Sequence, residues 1–208
     1  MLTTHYRAIF KRVSDPLVRR LVRSGISPSA IGLACPILAS GVCLMFVRTH
    51  AVLPFCIAIG AVGCLDGLDG AVARTAGRAT KFGAYLDAMI DRYVEAIVVI
   101  TVASVTGYWT LSMMTLVGAF LVSYAKARAA MEVSVSNQEW PDLMERAERD
   151  VLFIVGLAAS ALIRWQPLGR DLFWWTLVVL AILSHLTVVQ RILRARQFIR
   201  ERAPHSSR

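Results

Sequence analysis

Cysteine is scarce in this chain, with four in 208 residues. Cys35, Cys43, Cys56 and Cys64 form no CxxC pair and have no neighbouring histidine, which excludes a cysteine-based metal or redox motif. They read as small apolar packing residues. Acidic residues are also few, 14 Asp and Glu against 23 Lys and Arg, for a net charge of +9. No internal repeat or low-complexity tract is present, which excludes a solenoid or a tethering linker. No segment alternates apolar and polar residues over about ten positions, which excludes an outer-membrane barrel. Residues 1–24 are polar and basic and lead into no short apolar core with a cleavage site, so a removable signal is not expected.

What the chain has instead is oil. Fully 56% of its residues are apolar, too many for an ordinary soluble domain. They gather in the runs Ile31–Val47, Ala51–Leu65, Val94–Tyr108, Leu111–Tyr124, Val151–Ile163 and Leu172–Val189. Several fall short of the ~20 residues that cross a bilayer, but each extends through small or weakly polar flanks. The expected fold is an all-α integral membrane protein with six transmembrane helices. Before them, Leu2, Tyr6, Ile9, Phe10, Val13, Leu17, Leu21 and Val22 recur at helical spacing among Arg7, Lys11, Arg12, Arg19, Arg20 and Arg23. That pattern predicts an amphipathic helix on the membrane surface. The expected division is a surface helix over 1–24, a six-helix domain over 25–195 and a basic tail over 196–208. Gly25-Ile26-Ser27-Pro28 breaks the surface helix, with Ser27 as N-cap and Pro28 at the first helical position.

The positive charge follows the topology, so nucleic acid is not an expected partner. Basic residues cluster before the first span, at Arg74, Arg78 and Lys81, at Lys126, Arg128, Arg146 and Arg149, and after the sixth span. The other side holds only Arg48, Arg164 and Arg170. The positive-inside rule then puts both termini in the cytoplasm, in a multi-pass protein of the cell membrane.

From Asp66 to Asp91 the chain reads DGLDGAVARTAGRATKFGAYLDAMID. Charged groups inside or at the ends of membrane helices are expensive and usually functional. Asp66 and Asp69 are three apart and share a helix face with Gly70 and Ala73; Asp87 and Asp91, four apart, share a face of the next span. A hairpin through the polar turn Thr75–Thr80 brings the carboxylates together. Four bare carboxylates repel, so protons or cations must neutralise them. Hard oxygen ligands suit Mg²⁺ or Mn²⁺, and two ions would clamp a pyrophosphate. Gly70 and Gly83 permit close approach, Ala73 keeps the wall low and Arg74 is placed to meet a phosphate.

This stretch resembles the signature of the CDP-alcohol phosphotransferases at all eight fixed positions: Asp66-x2-Asp69-Gly70-x2-Ala73-Arg74-x8-Gly83-x3-Asp87-x3-Asp91. The resemblance implies two divalent metals on Asp66, Asp69, Asp87 and Asp91. It implies a CDP-lipid, CDP-diacylglycerol or a relative, near Asp66, Gly67, Asp69, Gly70, Ala73, Arg74, Thr80 and Gly83. It gives Asp91 the role of general base toward the acceptor hydroxyl, which attacks the lipid-side phosphorus and expels CMP. It also implies a homodimer.

The acceptor must be read elsewhere. Ser123 to Ala129, Glu145 to Arg149 and Gln190-Arg191 fall at expected cytoplasmic helix ends, where they would ring the aspartate cavity. Several guanidinium groups facing one cavity suit a phosphate on the acceptor. The three segments resemble the subgroup of the family that uses inositol 1-phosphate. By that resemblance the acceptor phosphate meets Arg146 or Arg149 with Arg191, helped by Ser123, Lys126 and Arg128. Departures from the subgroup are Pro28-Ser29 before the first span, the long polar loop Glu132–Met144, and Glu95 one turn past Asp91. Two other readings stand beside this one: glycerol 3-phosphate as acceptor, giving phosphatidylglycerophosphate, and, in a different class, a divalent-cation transporter.

Overall fold

The structure is a computed structural model describing residues 15–16, 18–20, 22–24, 28–77, 79–133 and 143–202, without the side chains of 28–31, 69 and 202. The expected Ser27 cap, most of the surface helix, most of the Glu132–Met144 loop and the end of the tail therefore lie outside the described residues. Six long helices follow in order: α1 (Pro28–Thr49), α2 (Val52–Thr75), α3 (Lys81–Thr106), α4 (Trp109–Glu132), α5 (Arg146–Leu162) and α6 (Leu172–Arg202). Among the described residues there is no strand. Each apolar run of the sequence lies in one helix, give or take a residue or two at its ends.

Four of the six are long and apolar enough to cross a membrane: α1, α2, α4 and α6. The exceptions have physical causes. α3 is 26 residues long but carries Asp87, Asp91, Arg92 and Glu95 among its first fifteen. α5 has only 17 residues, about 25 Å at 1.5 Å per residue, and its first turns hold Arg146, Glu148, Arg149 and Asp150.

The chain forms two compact units, residues 1–98 and 99–208. In the first, α1 packs on α2. Cys35, Ala39, Cys43 and Phe46 recur at helical spacing and are buried, as are Phe55, Cys56, Ile59 and Val62 of α2. Phe46 and Phe55 stack with ring centroids 4.2 Å apart, closing the tight link between the helices. Residues 15–16, 18–20 and 22–23 are helical, and Val18 is buried in a cluster with Leu68 and Val72 of α2, flanked by Val22 and Ala71.

The turn between α2 and α3 is specified residue by residue. Gly77 adopts a left-handed φ of 65° and donates its N–H to the Arg74 carbonyl at 3.3 Å, the usual way of stopping a helix. Thr80 then caps α3, its Oγ1 accepting the Gly83 N–H at 2.9 Å. A Cβ at Gly83 would lie 3.0 Å from that hydroxyl oxygen, so the glycine leaves room for the cap.

In the second unit α6 packs against both α4 and α5. Its buried Phe173, Leu177, Leu180, Ser184, Thr187 and Arg191 follow helical spacing. Small residues set the approach, as expected where lipid leaves little hydrophobic drive between helices. A Cβ on Gly118 of α4 would stand 2.7 Å from Ser184 Cβ. A Cβ on Gly156 of α5 would stand 2.8 Å from Thr176 Cβ and nearer still to both its branches. Gly156→Val is therefore expected to cost about 1–3 kcal/mol or more by overpacking. A lower melting temperature of the detergent-solubilised protein checks it, and an unchanged melt would contradict this packing. Asp171 caps α6 through the Trp174 N–H at 2.8 Å, and its other oxygen accepts the Tyr108 hydroxyl at 3.1 Å.

Candidate active site

The packing of α2 determines which way Asp66 points. Leu68, Ala71 and Val72 take one side of the helix and are held in the cluster with Val18 and Val22. Asp66, Gly70 and Ala73 fall on the opposite side. From α3, Asp87 and Asp91 come off one face a turn apart. Carboxylate oxygens of Asp66, Asp87 and Asp91 lie within 4.8 Å of one another, and all three side chains are partly exposed. The hairpin expected from the sequence thus brings together three of the four aspartates. The side chain of Asp69 lies outside the described residues, although its backbone sits in α2 three residues after Asp66.

Three carboxylates at this range fit a hard divalent cation, which oxygen donors favour and which would relieve their repulsion. Arg74 is nearby on α2. Its guanidinium lies over Gly70, with Nη1 3.2 Å from where a Cβ would stand. The bareness of Gly70 thus makes space for the arginine of its own helix, whereas the sequence had suggested a ligand or a neighbouring backbone. Beside Asp91, the Arg92 guanidinium pairs with Glu95 at 2.8 Å. That pairing gives the unexpected Glu95 a role: its charge is matched along α3. Thr80 and Gly83, expected at the CDP-lipid, are joined by the α3 cap.

The residues expected at the acceptor phosphate separate into two groups. Arg149 and Arg191 are buried, only 3% and 6% exposed, unusual for arginine unless it is functionally or structurally held. Arg191 Nη1 donates to the Val122 carbonyl of α4. Arg128 pairs with Glu132 at 2.5 Å, and Arg146 Nε lies 3.5 Å from Asp150, both four residues on. Ser123 donates to the Ala119 carbonyl at 3.3 Å, and Lys126 is half-buried. Helix α5 opens with a capping box in which Glu145 and Glu148 exchange side-chain and backbone hydrogen bonds. Sequence reasoning gave no separate role to Gln190, whose Oε1 accepts the Leu143 N–H at 2.9 Å.

A sequence profile described as CDP-alcohol phosphatidyltransferase matches residues 26–181, three-quarters of the chain. The chain belongs to the CDP-alcohol phosphatidyltransferase family. It is therefore a membrane-embedded transferase, and the transporter reading falls away. Among members of the family, the archaetidylinositol phosphate synthase of Pyrococcus horikoshii is 31% identical over 194 residues, covering 89% of this chain and 94% of that one. The phosphatidylinositol phosphate synthase of Corynebacterium glutamicum is 31% identical over 203 residues, covering 94% of this chain and 89% of that one. The crystal structure of the phosphatidylinositol phosphate synthase of Mycobacterium tuberculosis with CDP-DAG bound has a TM-score of 0.75 at 26% identity, covering 88% of this chain and 94% of that one. That protein has also been solved with manganese and citrate, at a TM-score of 0.74 and 26% identity, covering 87% of this chain and 88% of that one.

Proposed function

We propose that this transferase joins a CDP-linked lipid to the hydroxyl of inositol 1-phosphate, releasing CMP and forming a phosphatidylinositol phosphate or its diether analogue. The observation that carries the reading is the meeting of Asp66, Asp87 and Asp91 within 4.8 Å inside an unbroken family motif. The inositol phosphate follows from the two buried arginines and from the names of the relatives in two lineages.

In this reading Asp66, Asp69, Asp87 and Asp91 hold two divalent ions, Mg²⁺ or Mn²⁺, which when bound neutralise the pyrophosphate and the departing CMP. Arg74, with Gly67, Gly70, Ala73, Thr80 and Gly83, seats the CDP-lipid. Asp91 takes the proton of the acceptor hydroxyl. The acceptor oxygen bonds to the lipid-side phosphorus, the bond from that phosphorus to the bridging oxygen breaks, and the electron pair leaves with CMP. Arg149 and Arg191 hold the acceptor phosphate, and Arg146, Arg128, Lys126 and Ser123 make the surroundings polar and cationic. Six transmembrane helices, a surface helix over 1–24, cytoplasmic termini and active site, and a homodimer complete the proposal. α3 and α5 are included in the six, although neither is apolar enough alone.

The test is CMP release from CDP-diacylglycerol with a panel of acceptors. Inositol 1-phosphate is expected to react, and free inositol and serine to fail. Preference for glycerol 3-phosphate would move the enzyme to phosphatidylglycerophosphate synthesis, and equal reaction of unphosphorylated alcohols would sink the phosphate pocket. Arg149→Ala and Arg191→Ala are each expected to cost on the order of 2–3 kcal/mol, or roughly thirty- to a hundred-and-fiftyfold in acceptor KM, with CDP-lipid affinity unchanged. Lysine is expected to rescue only in part, because it keeps the charge and loses the fork.

A further inference from the structure

Two buried arginines on separate helices bind one phosphate well only if the helices keep a fixed register. Arg191 belongs to α6 and Arg149 to the second turn of α5. Both lie in the unit of residues 99–208. Two hydrogen bonds and one buried side chain hold the start of α5. The Glu145 N–H donates to Glu148 Oε2 at 3.0 Å, closing the capping box. Met144 is buried. The Leu143 N–H donates across to Gln190 Oε1 at 2.9 Å. Among these, the last ties the approach to α5 directly to α6, and it does so at the residue next to Arg191.

We propose that Gln190 is a positioning residue for the acceptor phosphate: by holding the Leu143 backbone it sets Arg149 against Arg191. The inference rests on the reading that these arginines bind that phosphate. The chemistry of the side chain supports it. A neutral amide oxygen accepts the N–H without placing an anion beside arginines that must attract a phosphate. Asparagine, one methylene shorter, does not reach as far. Leucine keeps the volume and loses the acceptor. Glutamate keeps reach and acceptor but adds a negative charge within a Debye length of the buried Arg191.

The experiment measures initial rates on the full-length purified enzyme, with inositol 1-phosphate as varied substrate at saturating CDP-diacylglycerol. Gln190→Leu is expected to raise acceptor KM about three- to tenfold, the size of one neutral hydrogen bond. Its kcat and its KM for CDP-diacylglycerol are expected to stay within about twofold. Gln190→Glu is expected to raise acceptor KM as well, because its charge competes with the phosphate for the arginines. In the Arg149→Ala background, Gln190→Leu is expected to raise KM no further, because the arginine it positions is gone. An unchanged KM in Gln190→Leu overturns the proposal. So does full additivity with Arg149→Ala, or a Gln190→Leu protein that has lost its wild-type melting temperature and kcat together. The wild-type acceptor panel separates the two levels. If glycerol 3-phosphate is the true acceptor, the same series is run with it and still decides the role of Gln190. If unphosphorylated alcohols react equally, the phosphate reading has failed first.

Discussion

Asp91→Asn is expected to lower the rate of CMP release by a hundred- to ten-thousandfold, roughly the contribution of a positioned general base. Asparagine keeps the shape and one oxygen donor of aspartate but has no basic oxygen for the acceptor proton. Asp66 and Asp87 remain, so the cluster keeps most of its negative charge, and CDP-lipid binding is expected to persist. Asp91 is suited to the role because it shares an oxygen cluster with Asp66 and Asp87, within 4.8 Å. The Arg92 charge next to it is engaged by Glu95. The measurements are single-turnover CMP release and binding of radiolabelled CDP-diacylglycerol on the same preparation. A near-normal rate would remove Asp91 as the base. Loss of lipid binding in step with rate would make it a metal ligand alone.

Withdrawal of divalent cations is expected to stop turnover altogether, and addition of Mg²⁺ or Mn²⁺ to restore it. Two unit charges 4.8 Å apart repel by on the order of 3 kcal/mol at an effective dielectric of about 20. Three carboxylates make three such pairs, before the anionic pyrophosphate of a CDP-lipid joins them. Bound divalent cations would offset that repulsion and leave the carboxylates ionised. Asp66→Ala is expected to weaken Mn²⁺ binding, read by electron paramagnetic resonance of the purified protein, and to abolish CMP release at ordinary metal concentration. Full activity after exhaustive chelation would end the metal reading.

The carboxylate cluster was legible in the sequence because its geometry is local. Spacings of four put Asp66 with Gly70, and Asp87 with Asp91, on single helix faces. Gly77 and Thr80 fix the turn between the helices through a left-handed glycine and a hydroxyl cap. Helix ends were less legible. The run Val94–Tyr108 marks only the apolar part of α3, which begins at Lys81, because hydropathy is blind to helical turns made of charged residues. Likewise α6 runs on to Arg202, well past the last apolar residue of its run. Side-chain partners were the least legible. Arg128 and Arg146 read as phosphate ligands, yet Glu132 and Asp150 stand four residues on and meet them. That signal was present in the spacing. Gln190 carried no comparable signal, since its partner is a backbone amide 47 residues away.

The short α2–α3 turn has a consequence for how the enzyme is made. All three carboxylates that meet lie between Asp66 and Asp91, on two helices joined by five residues. Closing so small a loop costs little chain entropy, and contacts of low sequence separation form early. All three described carboxylates of the cluster have therefore been synthesised once the chain has grown to Asp91. On the proposed reading, the residues that would hold the cations are thus in the chain before Arg149 and Arg191, proposed to hold the acceptor phosphate, have been made.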